Sequence, residues 1–333
     1  GYVRLRVSEA ERRQAKHDIQ HVEDIVIEML RNARDAGADK VYLATTKEDG
    51  VRTLVFLDNG SGVPQDMQER IFDARVTSKL ESMKMDRWGV HGRGMALFSI
   101  KQNTEEARVV TSDVDLGSVF KVSVATDRLG ERADQSSWPQ AVKDEDGHYV
   151  CARGPHNIIR AACEFALEEL RACDVYLGSP SEIAATLHAQ ASSRLDASRL
   201  LFIDDEAELP VVDRLGLASD AEDFIRICSG LGLEMSERTA HRILAGQIKP
   251  VRGVTARLLR ERDSSSHASA PVDLAKDRRG LRIAKDDMAQ FSRAVERDFN
   301  DLASRYYLNL CGDPKIRVSR DRITVTFDLA KEE

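Results

Sequence analysis

Apolar residues recur at helical spacing early in the chain. Ile19, Val22, Val26, Met29, Leu30 and Ala33 form one stripe at 100° per residue. The pattern predicts a helix over residues 8–36, with Ser8 and Glu11 as a capping box and Gly37 as its stop. The period then switches to two. Residues 40–46 and 52–58 read as strands joined at Asp49-Gly50, a hairpin turn. Further strands are expected over 108–111 and 118–126. Beyond them, helical periodicity marks 158–170, and Ser179-Pro-Ser-Glu182 opens a helix running to about Gln190. Residues 200–203 read as a buried strand ending in three exposed acids, Asp204, Asp205 and Glu206. Paired helices follow over 221–229 and 237–245, with Ser236 as an N-cap and Gly246 as a stop. A Ser-rich loop covers 263–280. A long amphipathic helix over 286–310 and a hairpin over 315–318 and 322–329 close the chain.

Three polar segments interrupt this pattern. The first, Glu28-Met-Leu-Arg-Asn32-Ala-Arg-Asp35, places Glu28, Asn32 and Asp35 at i, i+4 and i+7, on the helix face opposite the apolar stripe. A carboxylate one turn before an amide can hold a water and a metal together: Glu28 as proton acceptor, Asn32 as an oxygen ligand for a hard cation such as Mg. The second, Asp58-Asn-Gly60-Ser-Gly62, sets a carboxylate at a strand end on a tight turn that a base can approach closely. The third, Gly89-Val-His-Gly92-Arg-Gly94, precedes an apolar run suited to a helix, whose N-terminal N–H groups accept phosphate. In this order the segments describe an ATP site.

These motifs resemble the ATPase family shared by DNA gyrase B, heat-shock chaperones, histidine kinases and the MutL mismatch-repair proteins, whose fold is the Bergerat type. The family signature is E-x-x-x-N, D-x-G-x-G and G-x-x-G-x-G. Details resemble the MutL branch: Asn32-Ala-Arg-Asp35-Ala-Gly37-Ala38, Thr77-Ser78-Lys79 and Arg93-Gly94-Met95-Ala96-Leu97-Phe98-Ser99-Ile100, with Val76 and Met95 departing from that branch's alanine and glutamate. The type IIB topoisomerases share the same core.

The resemblance covers about residues 10–126. It implies Glu28 as general base, Asn32 as Mg ligand and Asp58 as adenine reader, with Gly60 and Gly62 shaping the pocket. It also implies a lid over residues 63–92, with Thr77, Ser78 and Lys79 near phosphate. Asp35, Gly89, Gly92, Arg93 and Gly94 complete the nucleotide-binding set, and the hydroxyl of Ser118 would support the adenine-binding carboxylate. Relatives close such a lid and dimerise, so ATP, Mg and an ATP-dependent homodimer are implied. No equivalent of the relatives' second-domain catalytic lysine stands out.

The expected architecture is an α/β, two-layer sandwich over residues 1–126, a linker over 127–156 and a mostly helical domain over 157–333 with a C-terminal β-hairpin. The net charge of −7 argues against a generally basic nucleic-acid binder. Residues 236–262 differ: seven basic residues (Arg238, Arg242, Lys249, Arg252, Arg257, Arg260, Arg262) face two acids, a local +5 that could meet DNA phosphates or simply be a solvated helix face. Five cysteines without a C-x-x-C pair read as reduced and mostly buried, which fits a cytoplasmic protein. No membrane span or signal peptide is read, and Gly1 suggests a trimmed start. The functions expected are an ATP-driven conformational ATPase in a DNA-associated process, a histidine-kinase-like phosphotransfer module, or a nucleotide-gated interaction protein. His17 and His21 lack the proline-containing context of a phospho-acceptor helix, which weighs against the kinase.

Overall fold

The computed structural model describes residues 3–4, 17–74, 76–77, 84–86, 89–91, 94–195, 205–259 and, between 288 and 331, several short stretches. The chain divides into two units, Gly1–Ser266 and His267–Glu333.

The first unit is organised by a five-stranded sheet. β1 (Lys40–Glu48) and β2 (Val51–Asp58) form the expected hairpin. Asp49 and Gly50 both take positive φ, 47° and 79°, the geometry of a type I′ turn whose twist matches the flanking strands. α1 is Val22–Asp35 and α2 is Ala96–Asn103. β3 (Glu106–Ser112) and β4 (Ser118–Ala125) extend the antiparallel sheet, with β4 between β2 and β3. A short hairpin of β5 (Gln140–Lys143) and β6 (Tyr149–Arg153) follows, then α3 (Ile158–Glu168). β7 (Asp174–Gly178) completes the sheet, running parallel to β1 with Asp174 opposite Lys40. The order is β7-β1-β2-β4-β3.

Strand alternation divides the sheet's side chains between two cores. Val41, Leu43, Leu54, Phe56, Phe120 and Val122 pack with α1 and α3 on one face. Tyr42, Ala44, Val55, Leu57 and Val119 point to the other. That second face is covered by α4 (Pro180–Arg194), α5 (Ala221–Gly230) and α6 (Glu237–Leu244), through Ile183, Leu187, Phe224, Ile227, Ala240 and Ile243. The α/β sandwich expected at the N-terminus is present, and the mostly helical region beyond it supplies a further layer on the same sheet.

The expected boundary at 127–156 does not coincide with the division between units. Leu129, Ala141, Cys151 and Ile158 are buried in the α1-side core, and β7 hydrogen-bonds to β1. A charged, Pro- and Gly-containing stretch reads as a linker, yet a few apolar residues anchor it.

Helix ends follow the expected chemistry with one exception. Gly37 (φ 78°) ends α1, its N–H bonded to the Arg34 carbonyl at 2.9 Å. Ser179 and Glu182 cap α4, and Ser236 caps α6. α1, however, starts at Val22: the Asp24 carboxylate accepts the backbone N–H groups of Gln20 and His21, each at 2.8 Å. Those two bonds divert the chain from the helical path. Ser8 and Glu11, and the expected strand at 200–203, lie outside the described residues.

In the second unit the hairpin forms with β9 (Lys315–Val318) against β10 (Ile323–Thr326). β8 (Leu308–Leu310) pairs with β11 (Leu329–Lys331). The end of the expected helix over 286–310 is therefore a strand, because Leu308 and Leu310 alternate and find a partner. Phe299 stacks on Phe327 with ring centroids 3.9 Å apart.

Phe224 is fully buried on the second face. Phe224→Ala should lower the unfolding free energy by about 3–5 kcal/mol. Urea denaturation should show one transition for the sheet and the α4–α6 layer. A variant in which the sheet's transition is unmoved would mean the layer folds separately.

Candidate nucleotide-binding site

The loop that follows β2 meets the C-terminal end of α1 at Ala36. Glu28, Asn32 and Asp35 lie off the apolar stripe of α1, but their face is covered rather than solvated. Glu28 is 22% exposed and Asp35 13%. Glu28 Oε1 accepts from Arg31 Nη1 at 2.7 Å, and Arg31 is 3% exposed. Asp35 meets Arg34 Nε at 3.1 Å, and Arg34 also reaches Glu169, just past α3, at 3.0 Å. Asp35 thus stands in a tie between α1 and α3. Asn32 Nδ2 is buried with no hydrogen-bond partner among the described residues. A buried amide without a partner is costly, so its place here fits a ligand that completes it.

Asp58 is 3% exposed, and its Oδ1 accepts the Gly60 N–H at 2.8 Å. Burial pushes its carboxyl up to about 7, with the Gly60 bond pulling the other way. A buried acceptor at a strand end suits an amino N–H such as that of adenine.

The glycines around it are forced by backbone contact. A Cβ on Gly60 would lie 2.9 Å from Ala36 and from Asp58 Oδ1. A Cβ on Gly62 (φ 69°) would collide with the Asp113 carbonyl, and one on Gly117 (φ 78°) with the Asp58 carbonyl. The loop 58–62 and the turn 113–117 therefore press together main chain to main chain. Asp115 N donates to the Ser61 carbonyl at 2.9 Å, and Ser61 N to Ala36 O at 2.9 Å.

Ser118 pairs with Asp58 through the backbone, but its hydroxyl meets Ser112 Oγ at 3.1 Å, not the Asp58 carboxylate. The Ser112 hydroxyl, which belongs to none of the three motifs, is the hub. It accepts the Val63 N–H at 2.7 Å and donates to the Gly117 carbonyl at 2.8 Å. Gln68 Nε2 adds a bond to Ser112 O at 2.8 Å, fixing the start of the 63–92 segment. A lone serine ending a strand carries no motif, so only its placement discloses it.

The rest of the expected lid is described in parts. Short 3-10 turns at Gln65–Met67 and Arg70–Phe72 bury Ile71 and Phe72. Val76–Thr77 pairs with Val3–Arg4, and Lys84–Asp86 with Gly89–His91, so Thr77 and Gly89 lie in strands. Gly94 (φ 65°) stands two residues before α2. Ser78, Lys79, Gly92 and Arg93 lie outside the described residues.

Residues 19–135 match the family described as "Histidine kinase-, DNA gyrase B-, and HSP90-like ATPase". With the geometry above, that segment is a domain of this ATPase family. Its relatives include DNA mismatch repair proteins MutL. The MutL of Thermodesulfovibrio yellowstonii is 32% identical over 104 residues, 30% of this chain and 19% of the relative. That of Pediococcus pentosaceus is 29% identical over 121 residues, 36% and 18% respectively. That of Chloroherpeton thalassium is 33% identical over 109 residues, 32% and 17%. The matched segment spans about a fifth of the length of these curated relatives. Among the described residues no helix is long and apolar enough to cross a membrane. Cys151, Cys163, Cys173 and Cys228 are buried, and burial pushes the thiols of Cys173 and Cys228 up to about 12.

Asp58 yields a pH dependence. An unfolded aspartate titrates near about 4, the folded one near about 7. Between those values the folded state keeps a proton that the unfolded chain has released. This group's contribution is thus intact below the unfolded value and is lost as pH climbs to the folded one. Thermal denaturation from pH 4 to 8 should show Asp58→Asn gaining on the parent as pH rises, then holding level above the folded value. Parallel curves would mean that Asp58 carries no raised pKa.

Proposed function

We propose that the chain binds ATP with Mg, hydrolyses it slowly, and couples occupancy to closure of the 63–92 segment and to dimerisation in a DNA-associated process. The observation that carries this reading is the buried Asp58 carboxylate, set by the Gly60–Gly62 turn that packs on Ala36 at the end of the helix carrying Glu28 and Asn32. The residues fit the ligand. Asp58 offers a desolvated acceptor to the adenine amino group. Gly60 and Gly62 admit the base where side chains would obstruct it. Asn32 has an amide without a partner among the described residues and an oxygen suited to a hard cation. Bound Mg would neutralise phosphate charge and favour attack by water.

Glu28 is the group to accept the water's proton. Its bond to the buried Arg31 orients the carboxylate, and a shift of that ion pair would accompany proton transfer. The backbone around Gly94, opening α2, is suited to phosphate.

The DNA-associated part rests on the MutL relatives and on the surface of α6. Arg238, His241 and Arg242 are exposed along one face of that helix, with Ala240 and Ile243 buried on the other. Lys249 and Arg252 are exposed beyond it. With Gln247 and Ala245, the α6 residues line an open groove of about 590 Å³. Arg257 instead packs over the Trp138 ring at 3.9 Å, and Arg260 and Arg262 lie outside the described residues. The exposed set suits phosphate contact rather than base reading.

Calorimetry with ATP and Mg should show binding, and saturation at about 100 times the dissociation constant should add roughly 2.7 kcal/mol of stability. Glu28→Ala should keep binding while turnover drops by about 10²–10⁴. Parent-like turnover in that variant would remove Glu28 as the base. Changing Arg238, Arg242 and Arg252 together to Ala should weaken DNA binding and flatten its salt dependence. All three are exposed, so the fold should survive. A parent protein that ignores DNA at low salt would leave α6 as a packing helix with a solvated face.

A further inference from the structure

Arg214 is 7% exposed, yet among the described residues no carboxylate oxygen lies within ion-pair distance of its guanidinium. Its bonds go to neutral groups. Nη1 donates to Thr111 Oγ1 at 3.0 Å, and Nε donates to the Leu209 carbonyl at 3.2 Å. Burial holds its pKa below the usual arginine value, while the charges of Glu206, Asp205 and Asp113 act at longer range in the other direction. Burying a cation without a paired anion is expensive, so such a side chain invites a functional account.

Its position supplies one. Arg214 opens the 3-10 turn Arg214–Leu217, which packs among α4 and α5 through the fully buried Leu215. Thr111 is next to Ser112, the hub that ties Val63 and Gly117. Three residues before Arg214, Val211 donates its N–H to the Leu116 carbonyl at 2.8 Å. The Val211 side chain also abuts Gly117, whose missing Cβ would lie 3.1 Å from Val211 Cγ2. The segment 209–217 therefore grips the 111–117 turn at two points, and that turn is the backbone against which the Asp58–Gly62 loop is pressed.

We infer that Arg214 is a positioning residue for the nucleotide pocket. It fixes the 111–117 turn behind the Asp58–Gly62 loop and links occupancy of that pocket to the α4–α6 layer on the far face of the sheet. The guanidinium suits the task because its planar fork meets a hydroxyl of the 111–117 turn and a carbonyl of its own segment at once. Displacement of the turn is passed to residues 209–217 because the two share hydrogen bonds and the Val211 contact at Gly117. Coupling of this kind is reciprocal: whatever restrains α5 and α6 must change nucleotide affinity by the same factor.

This inference rests on the ATP reading, and one experiment separates the two. Hydrogen exchange would be followed across residues 205–217 in the full chain with and without ADP and Mg, alongside the ADP dissociation constant, for parent, Arg214→Met and Thr111→Val. In the parent, ADP should slow exchange at Val211 and its neighbours. Either substitution should raise the dissociation constant by about tenfold, the scale of one buried charge-assisted hydrogen bond, and abolish the slowing. A residue that merely stabilises the fold would lower the melting temperature and leave the ADP-dependent slowing in place, which overturns the inference. So does ADP that binds the parent without changing exchange over 205–217. If Arg214→Met does not fold, Thr111→Val, which removes only the acceptor, decides. A parent that binds no ADP or ATP brings down the ATP reading and this inference with it.

Discussion

The contact on which the rest depends is main chain against main chain: the loop Asp58–Gly62 lying on the turn Asp113–Gly117. Glycines at 62 and 117 let the two backbones approach so closely that no side chain fits. Hydrogen bonds from Asp115 to Ser61, and from Val63 to Ser112, hold them there. Asp58 is buried as a consequence, and its raised pKa follows from the burial. The chemistry of the pocket is thus set by a packing constraint and not by neighbouring charges.

Around that contact the sheet acts as a wall with two inhabited sides. On one side, α1 carries Glu28, Asn32 and Asp35 off the stripe while its apolar residues pack with Val41, Leu43 and Phe56. On the other, α4, α5 and α6 rest on Tyr42, Val55 and Leu57. Neighbouring residues of one strand therefore serve different layers. The Tyr42 hydroxyl donates to Gln190 of α4 at 2.6 Å, while Val41 and Leu43 face α1. A shift in strand β1 or β2 is felt by both layers, since interiors are packed too tightly to absorb it.

Much of this was legible in the residues. The Asp49-Gly50 hairpin, the Gly37 stop, the Ser179 and Ser236 caps and the β1–β4 strands follow local rules of turn chemistry and periodicity. The motif order points to the junction at which the Asp58–Gly62 loop packs on Ala36 at the end of α1. What escaped is nonlocal. β7 is five residues long, and its parallel partner β1 is some 130 positions earlier, so periodicity gives it no register. The Ser112 hub and the buried Arg214 belong to no motif. The ion pair between Glu28 and Arg31 sits at ordinary i, i+3 spacing, which cannot say whether the face is covered. The break at residues 19–21, between helical His17–Asp18 and α1, escapes the apolar period because that period continues through the Asp24 cap.

β7 has a consequence for synthesis. The segment that matches the ATPase family ends at residue 135, whereas the strand that covers the β1 flank is not made until residues 174–178. During translation, and in any fragment cut at the family boundary, β1 presents a bare edge of unpaired N–H and C=O groups with Val41, Tyr42 and Leu43 beside it. Such an edge is a template for pairing with another chain. Some forty further residues must emerge before that edge is paired, so a fragment that keeps it covered extends at least through Gly178.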